Sequence, residues 1–357
     1  MSQTASYAGS DGEFTRTEKR KSLGFLSFGR WQDSPKSGTR TAAEAYRQSI
    51  ELVVAAEEIG VDGAYFRVHH FAEQLTAPFP LLAAAAERTS RIELGTGVID
   101  MRYENALYMA ETAAATDLIA GGRLQLGLSR GAPGQAKDGP GLFGYTRSDG
   151  VHDVAEAREK TLRFLAAIDG EPLADADPQW AHRAGRVPIE PRSPGLRHRI
   201  WWGAGTQRTA IWAAEQGLHL QSSTVLLEDT GTPFDVAQAE QIRTYRKAWR
   251  NAGWTHSPRV AVTRSVLPVT TTQDHAQFGT HGDEPDRVSS IPGFAPFRTG
   301  RTFTGSPDRI ATLLAADEGI KEADTVLLAI PTHLGVEHAT GILENIVDHV
   351  APAAGWR

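Results

Sequence analysis

The stretch GVDGAYFRVHHF, residues 60–71, decides how the chain is read. It opens as a buried strand, with Val61, Ala64, Phe66 and Val68, and closes on Arg67, His69 and His70. Side chains on a strand alternate between its two faces. Ala64, Phe66 and Val68 therefore share an apolar face suited to packing under helices. Tyr65, Arg67 and His69 share the other, and the polar members gather at the C-terminal end. His70 has the opposite parity, so the two histidines do different jobs. The pattern also fits a buried histidine held by a backbone carbonyl. A zinc pair fits less well, because side chains on adjacent strand residues diverge.

Outward from this stretch, strand-like and helix-like runs alternate from residue 22 onward. SLGFLSF precedes TAAEAYRQSIELVVAAEEIG, in which Ala45, Ser49, Leu52, Val53, Ala56 and Ile59 recur at helical spacing and Gly60 is a natural stop. The remaining strand-like runs are RIELGTGVI, RLQLGLS, RIWWGAG, LHLQSST, RVAVTRSVLPV and ADTVLLAI. Helices are expected at PFPLLAAAAERTS, over about 105–120, near 153–168, at TQRTAIWAAEQ, around 235–251, from about 307 and at the C-terminus. About eight β-then-α units imply a parallel sheet under helices, and that number favours closure into a TIM (β/α)8 barrel. A doubly wound open sheet is the alternative. Long connections at 130–152 and 270–302 follow strands and so belong to the face where barrel active sites lie, with 170–198 a third irregular insert. The 270–302 loop, with Gly279, Gly282 and Gly293, is a candidate lid.

The 357 residues, 40% hydrophobic and 22% charged, fit one barrel over 21–357 preceded by a flexible tail at 1–20. The tail lacks the apolar core of a secretory signal, and no run approaches the roughly 18 apolar residues of a membrane span. A net charge of −6 argues against nucleic acid as a partner. Without cysteine there is no disulfide, thiolate nucleophile or cysteine-bound metal, which suits a cytoplasmic protein.

Two βα turns look able to bind an anion. LGLSRGAPG sets Arg130 among glycines, although a surface arginine in a turn fits the same residues. RIWWGAGTQRT runs a strand into Gly203, Ala204 and Gly205, with Thr206 as N-cap of the next helix. There the backbone can approach a ligand, and free N–H groups can face a phosphate. The spacing matches neither the P-loop nor the dinucleotide fingerprint. Together the two turns point to a phosphate-bearing cofactor.

The ordered set GVDGAYFRVHHF, PFPLLAAAAERTSRIELGTGVID, ETAAATDLIAGGRLQLGLSRG and GAGT followed by WAAEQG resembles the bacterial-luciferase-like flavin-dependent monooxygenases, over nearly the whole chain beyond about residue 22. The resemblance implies a TIM-like barrel binding reduced FMN at its C-terminal mouth and using molecular oxygen to oxidise a small organic substrate. It implies His69 as the catalytic histidine beside the flavin. Arg130 would hold the phosphate, with Gly205 and Thr206, after Gly203 and Ala204, as the phosphate turn. Thr96, Gly97 and Val98 would lie against the flavin ring, where relatives often carry a non-prolyl cis peptide. A homodimer through about 41–59 and 78–89 and a separate flavin reductase are further implications.

Two departures stand out. Val68 replaces the acidic residue that precedes the histidine pair in many relatives, leaving Arg67 as the candidate to orient His69. Ser129 replaces a reactive cysteine, which argues against light emission and a long-chain aldehyde substrate. Three rival readings remain at this stage. A 5-deazaflavin-dependent oxidoreductase would transfer hydride, and a non-catalytic protein would store or sense FMN. A metal-dependent hydrolase would draw on His69, His219 and His333.

Overall fold

The computed structural model describes residues 20–131, 136–145, 154–182, 184–228, 231–279, 286–289 and 296–357. Eight parallel strands form the centre: β1 (Ser22–Ser27), β2 (Gly63–Phe66), β3 (Glu93–Thr96), β4 (Leu124–Ser129), β5 (Ile200–Ala204), β6 (His219–Ser222), β7 (Val260–Pro268) and β8 (Thr325–Ala329). Each pairs with the next, and β8 pairs with β1 in register Ser22 to Thr325, so the sheet closes. Closure removes the edges that a doubly wound sheet would leave. All eight strand-like runs of the sequence are barrel strands.

A helix follows every strand: α1 (Ala42–Ile59), α2 (Pro78–Ala86), α3 (Ala106–Ile119), α4 (Val154–Asp169), α5 (Gln207–Glu215), α6 (Phe234–Ala252), α7 (Pro307–Ala316) and α8 (Val336–Asn345). The local chemistry of α1 is typical. Thr41 and Glu44 form a reciprocal capping box, Gly60 ends the helix at φ 93°, and Ala45, Ser49, Leu52, Val53 and Ala56 are buried. The outer core between strands and helices takes Ala64, Phe66 and Val68 from β2 and the residues after it.

The barrel interior is a separate cluster of Leu26, Tyr65, Trp201, Ala261 and Leu327. Large side chains buried this fully contribute roughly 1.5–3 kcal/mol each. Tyr65 explains a set of strand glycines. A Cβ on Gly63 or Gly95 would approach its ring to 2.7 or 2.6 Å, which leaves no room for alanine. Below the cluster, Glu93 receives Arg259 Nη1 at 2.7 Å and Nη2 at 3.0 Å, Tyr65 Oη at 3.2 Å and Gln125 Nε2 at 3.1 Å. Trp201 Nε1 donates to Gln125 Oε1 at 2.8 Å. This end of the barrel is sealed.

The segment read as a polar loop to 302 contains structure. Thr272–Phe278 is helical behind a Thr271–Asp274 capping box. Val225–Leu226, Phe297–Thr299 and Arg287–Ser289 make a small antiparallel sheet beside the C-terminal mouth. Of the candidate lid glycines, Gly279 ends that helix, whereas Gly282 and Gly293 lie outside the described residues, as do residues 1–19 of the tail and, within 130–152, residues 132–135 and 146–152. Among the described residues, no helix is long and apolar enough to cross a membrane.

Candidate active site

A cavity of about 360 Å³ opens at the C-terminal ends of the strands, above the interior cluster, with Leu26 and Leu327 in its lining. That volume lies within the range of small-molecule and cofactor sites. Its walls include His69, Gly97, Val98, Arg130, Gly203 and Gly205, drawn from the ends of β2, β3, β4 and β5. Residues more than a hundred positions apart in the chain thus share one space. The other three residues singled out in the sequence, Thr96, Ala204 and Thr206, are not among its lining residues.

Strand β2 ends at Phe66, two residues short of the expected limit, yet the alternation carries on. Arg67 and His69 both reach the cavity, and Arg67 Nε donates to His69 Nε2 at 2.6 Å. His69 is therefore oriented by a cation where Val68 offers no carboxylate. Nε2 accepts, so the neutral ring carries its proton on Nδ1. Burial first, then Arg67, His70 and Arg30, pushes the His69 pKa down to about 4. At neutral pH this ring is therefore uncharged. His70 lines the same cavity, stacking on Tyr103 with ring centroids 4.2 Å apart and packing edge-on against Phe143 at 5.1 Å. Phe71 follows at φ 57°, a left-handed conformation that reverses the chain after the pair.

The end of β3 forms a ledge. The Gly97–Val98 peptide is cis. Thr96 braces the ledge from behind: its Oγ1 donates to Gly127 O at 2.8 Å and accepts from Gly127 N at 3.0 Å, while its carbonyl accepts from Gln221 Nε2 at 3.1 Å. Gly97 N is held by Phe66 O at 2.9 Å. Gly127 must be glycine, because a Cβ there would run into the Thr96 carbonyl and the Gln221 amide.

The two turns read as able to bind an anion follow paired strands and meet as neighbours. Ser129 Oγ accepts from Gly131 N at 2.9 Å, and Gly131 adopts φ 73°, where a Cβ would collide with the Asp100 carboxylate. Asp100 is itself held by Arg102, with Nη2 to Oδ2 at 2.6 Å. Arg130 is thereby left on the cavity wall with no hydrogen bond or ion pair to the described residues. Opposite, Gly203 faces Val98 and Ser129, which a Cβ would meet at 3.3 and 3.4 Å. Thr206 caps α5 by accepting from Thr209 N at 3.2 Å. Gln207 N, at the α5 N-terminus, already donates to Glu228 Oε2 at 3.0 Å. A carboxylate thus occupies part of the place read as a phosphate cradle.

Sequence reasoning missed several lining residues, among them Gln221, Thr224, Val225, Leu227 and Phe297. Gln221 had a detectable signal, since it lies at the C-terminal end of a strand read as such. The others come from the turn after β6 and from the small sheet, which no periodic pattern announces. The three histidines of the hydrolase reading do not converge. His219 starts β6 at the sealed end, where its Nδ1 accepts from Arg259 N at 3.1 Å, whereas His69 lies at the open end. Burial and Arg259 push the His219 pKa down to about 3.

The chain matches the model of the luciferase-like monooxygenase family over residues 23–278. It is 22% identical to the uncharacterised protein YwcH of Bacillus subtilis, over 84% of this chain and 92% of YwcH. It is 26% identical to the oxygenase component of a flavin-dependent trigonelline monooxygenase from Acinetobacter baylyi, over 54% of this chain and 52% of that protein. The monooxygenase RslO1 of Streptomyces bottropensis superposes with a TM-score of 0.70 at 20% identity, over 92% of this chain and 98% of RslO1. Similar proteins include both an FMN-bound monooxygenase and enzymes dependent on coenzyme F420.

Proposed function

Because this chain belongs to the luciferase-like monooxygenase family, we propose that it is an FMN-dependent monooxygenase acting on a small organic substrate. One observation carries the reading. A single cavity holds an unpaired Arg130, glycine walls at Gly203 and Gly205, the Gly97–Val98 ledge and a neutral, oriented His69. These residues fit a flavin mononucleotide. Arg130 and the Gly203–Gly205 turn would hold the phosphate, and the ledge would support the ring. Reduced FMN, when bound, supplies the electrons that activate molecular oxygen for transfer to the substrate.

The protein's share of the chemistry is positioning and proton control. His69 Nδ1–H is a donor at neutral pH, and Arg67 fixes the ring by occupying Nε2. The apolar floor of Leu26 and Leu327 helps to keep water from the reacting atoms. The reading carries with it a separate flavin reductase, a homodimer and a cytoplasmic setting.

A hydride-transferring enzyme using the 5-deazaflavin coenzyme is the second reading, supported by the F420-dependent relatives. Purified protein supplied with each reduced coenzyme in turn separates the two. The first reading expects oxygen uptake coupled to substrate oxidation with reduced FMN, with labelled oxygen appearing in the product. Hydride transfer from the deazaflavin without oxygen uptake would replace it with the second.

A further inference from the structure

We propose that Arg67 is a specificity residue that recognises a carboxylate on the organic substrate; the assignment deepens the monooxygenase reading and rests on it. The guanidinium lies inside the mouth of the barrel, packed over the Phe28 ring with its Cζ 5.1 Å from the centroid. Its Nε is committed to His69 at 2.6 Å. Neither Nη group has a partner among the described residues, and no carboxylate lies near enough to offset the burial that weakens its charge. Arg67 is half-buried, and a charge drawn this far out of water is ordinarily paired, because an uncompensated one is costly.

Arginine binds carboxylates through one of two flat edges, each presenting two parallel N–H bonds. The edge that includes Nε is occupied by His69. The edge made by the two Nη groups remains, and its geometry matches the two oxygens of a carboxylate. The cavity therefore has two cationic poles. Arg130 stands at the end of β4 beside β5, and Arg67 follows β2, with β3 between their strands. One phosphate can satisfy the first pole and leaves the second for another anion. Of the two components that the cavity is proposed to hold, the substrate is the one free to supply it. Lysine would offer a point charge without the flat edge, so the residue type itself favours a planar anion.

The test measures binding to the protein, first free and then loaded with oxidised FMN. The probes are a panel of aromatic, cyclic and short-chain carboxylic acids, each compared with its primary amide. Wild-type protein should favour acids over their amides by roughly tenfold or more for at least one skeleton. Arg67→Met should bring that ratio close to unity, and Arg67→Lys should keep part of it. Arg130→Met should weaken FMN and leave the ratio intact. FMN titrated alone tests the cofactor reading separately, so a failure there is distinct from a failure of the acid–amide comparison. Equal binding of acids and amides, no binding by any panel member, or a preference that survives Arg67→Met would overturn the proposal. So would a loss of FMN affinity in Arg67→Met as large as that in Arg130→Met, since the flavin would then be the anion that Arg67 serves.

Discussion

The two ends of the barrel interior contain similar residues and treat them in opposite ways. At the sealed end, Arg259 meets Glu93 through two hydrogen bonds, and Tyr65, Gln125 and Trp201 complete the network. Charge is neutralised inside the protein, and Arg259 also lies over the Trp201 ring at 5.0 Å. At the open end, Arg67 and Arg130 face a cavity without carboxylate partners, beside a histidine whose pKa has fallen to about 4. A satisfied arginine holds a fold together. An unsatisfied one on a cavity wall is a candidate anion site, which is the premise of the proposed function.

The comparison can be broken from either side. The largest effect is expected at the open end, where His69→Gln should lower turnover roughly a hundredfold or more while leaving thermal stability nearly unchanged. Steady-state kinetics and a melting curve check both halves. Arg259→Met should do the reverse. Leaving Glu93 without its cation should cost on the order of 2 kcal/mol or more of stability, measured by denaturant unfolding, with little change in flavin affinity.

Acid should act on the histidines at both ends. His69 and His219 have folded pKa values near 4 and 3, below the ordinary value of 6.5. Between those limits the unfolded chain binds more protons, so stability should fall as pH drops from about 6.5 toward 4. It should be insensitive to these two groups above about 7. Replacing Arg67 by Met sharpens this point. Burial remains, with His70 and Arg30 nearby, but loss of the Arg67 charge should move the His69 titration upward while His219 stays put. Imidazole resonances followed by NMR across pH would show both. The smallest effect is expected from Glu228→Gln. Removing the carboxylate from the α5 N-terminus should tighten FMN about threefold, because the dipole there then favours the incoming anion.

Much of this contrast is written in local sequence. The eight strands were legible because each is a short apolar run bounded by glycine or a helical pattern, and the helices because their apolar spacing and caps are regular. Alternation in AYFRVH separated Tyr65, Arg67 and His69 from Phe66 and Val68, even though the hydrogen-bonded strand stops at Phe66. Arg130, Gly203 and Gly205 could be found because strand ends in a closed barrel converge on one mouth, and Gly97 and Val98 through the resemblance of GTGVI to the family's strand end. What was not legible depends on contacts between distant segments. Thr96 resembled a ligand contact, yet its hydroxyl is spent on Gly127. Thr206 resembled part of a phosphate cradle, yet Glu228, twenty-two residues on, takes the neighbouring N–H. The depressed His69 pKa needs the depth of the cavity and the reach of Arg67, which spacing alone cannot supply.

The most direct test of the central claim is an anaerobic titration with reduced FMN of the wild type, Arg130→Met and Arg259→Met. The account predicts saturable one-to-one binding to the wild type, weakened about tenfold or more in Arg130→Met and nearly unchanged in folded Arg259→Met. No binding to the wild type, or equal affinity in Arg130→Met, would contradict the assignment of the open end as the flavin site.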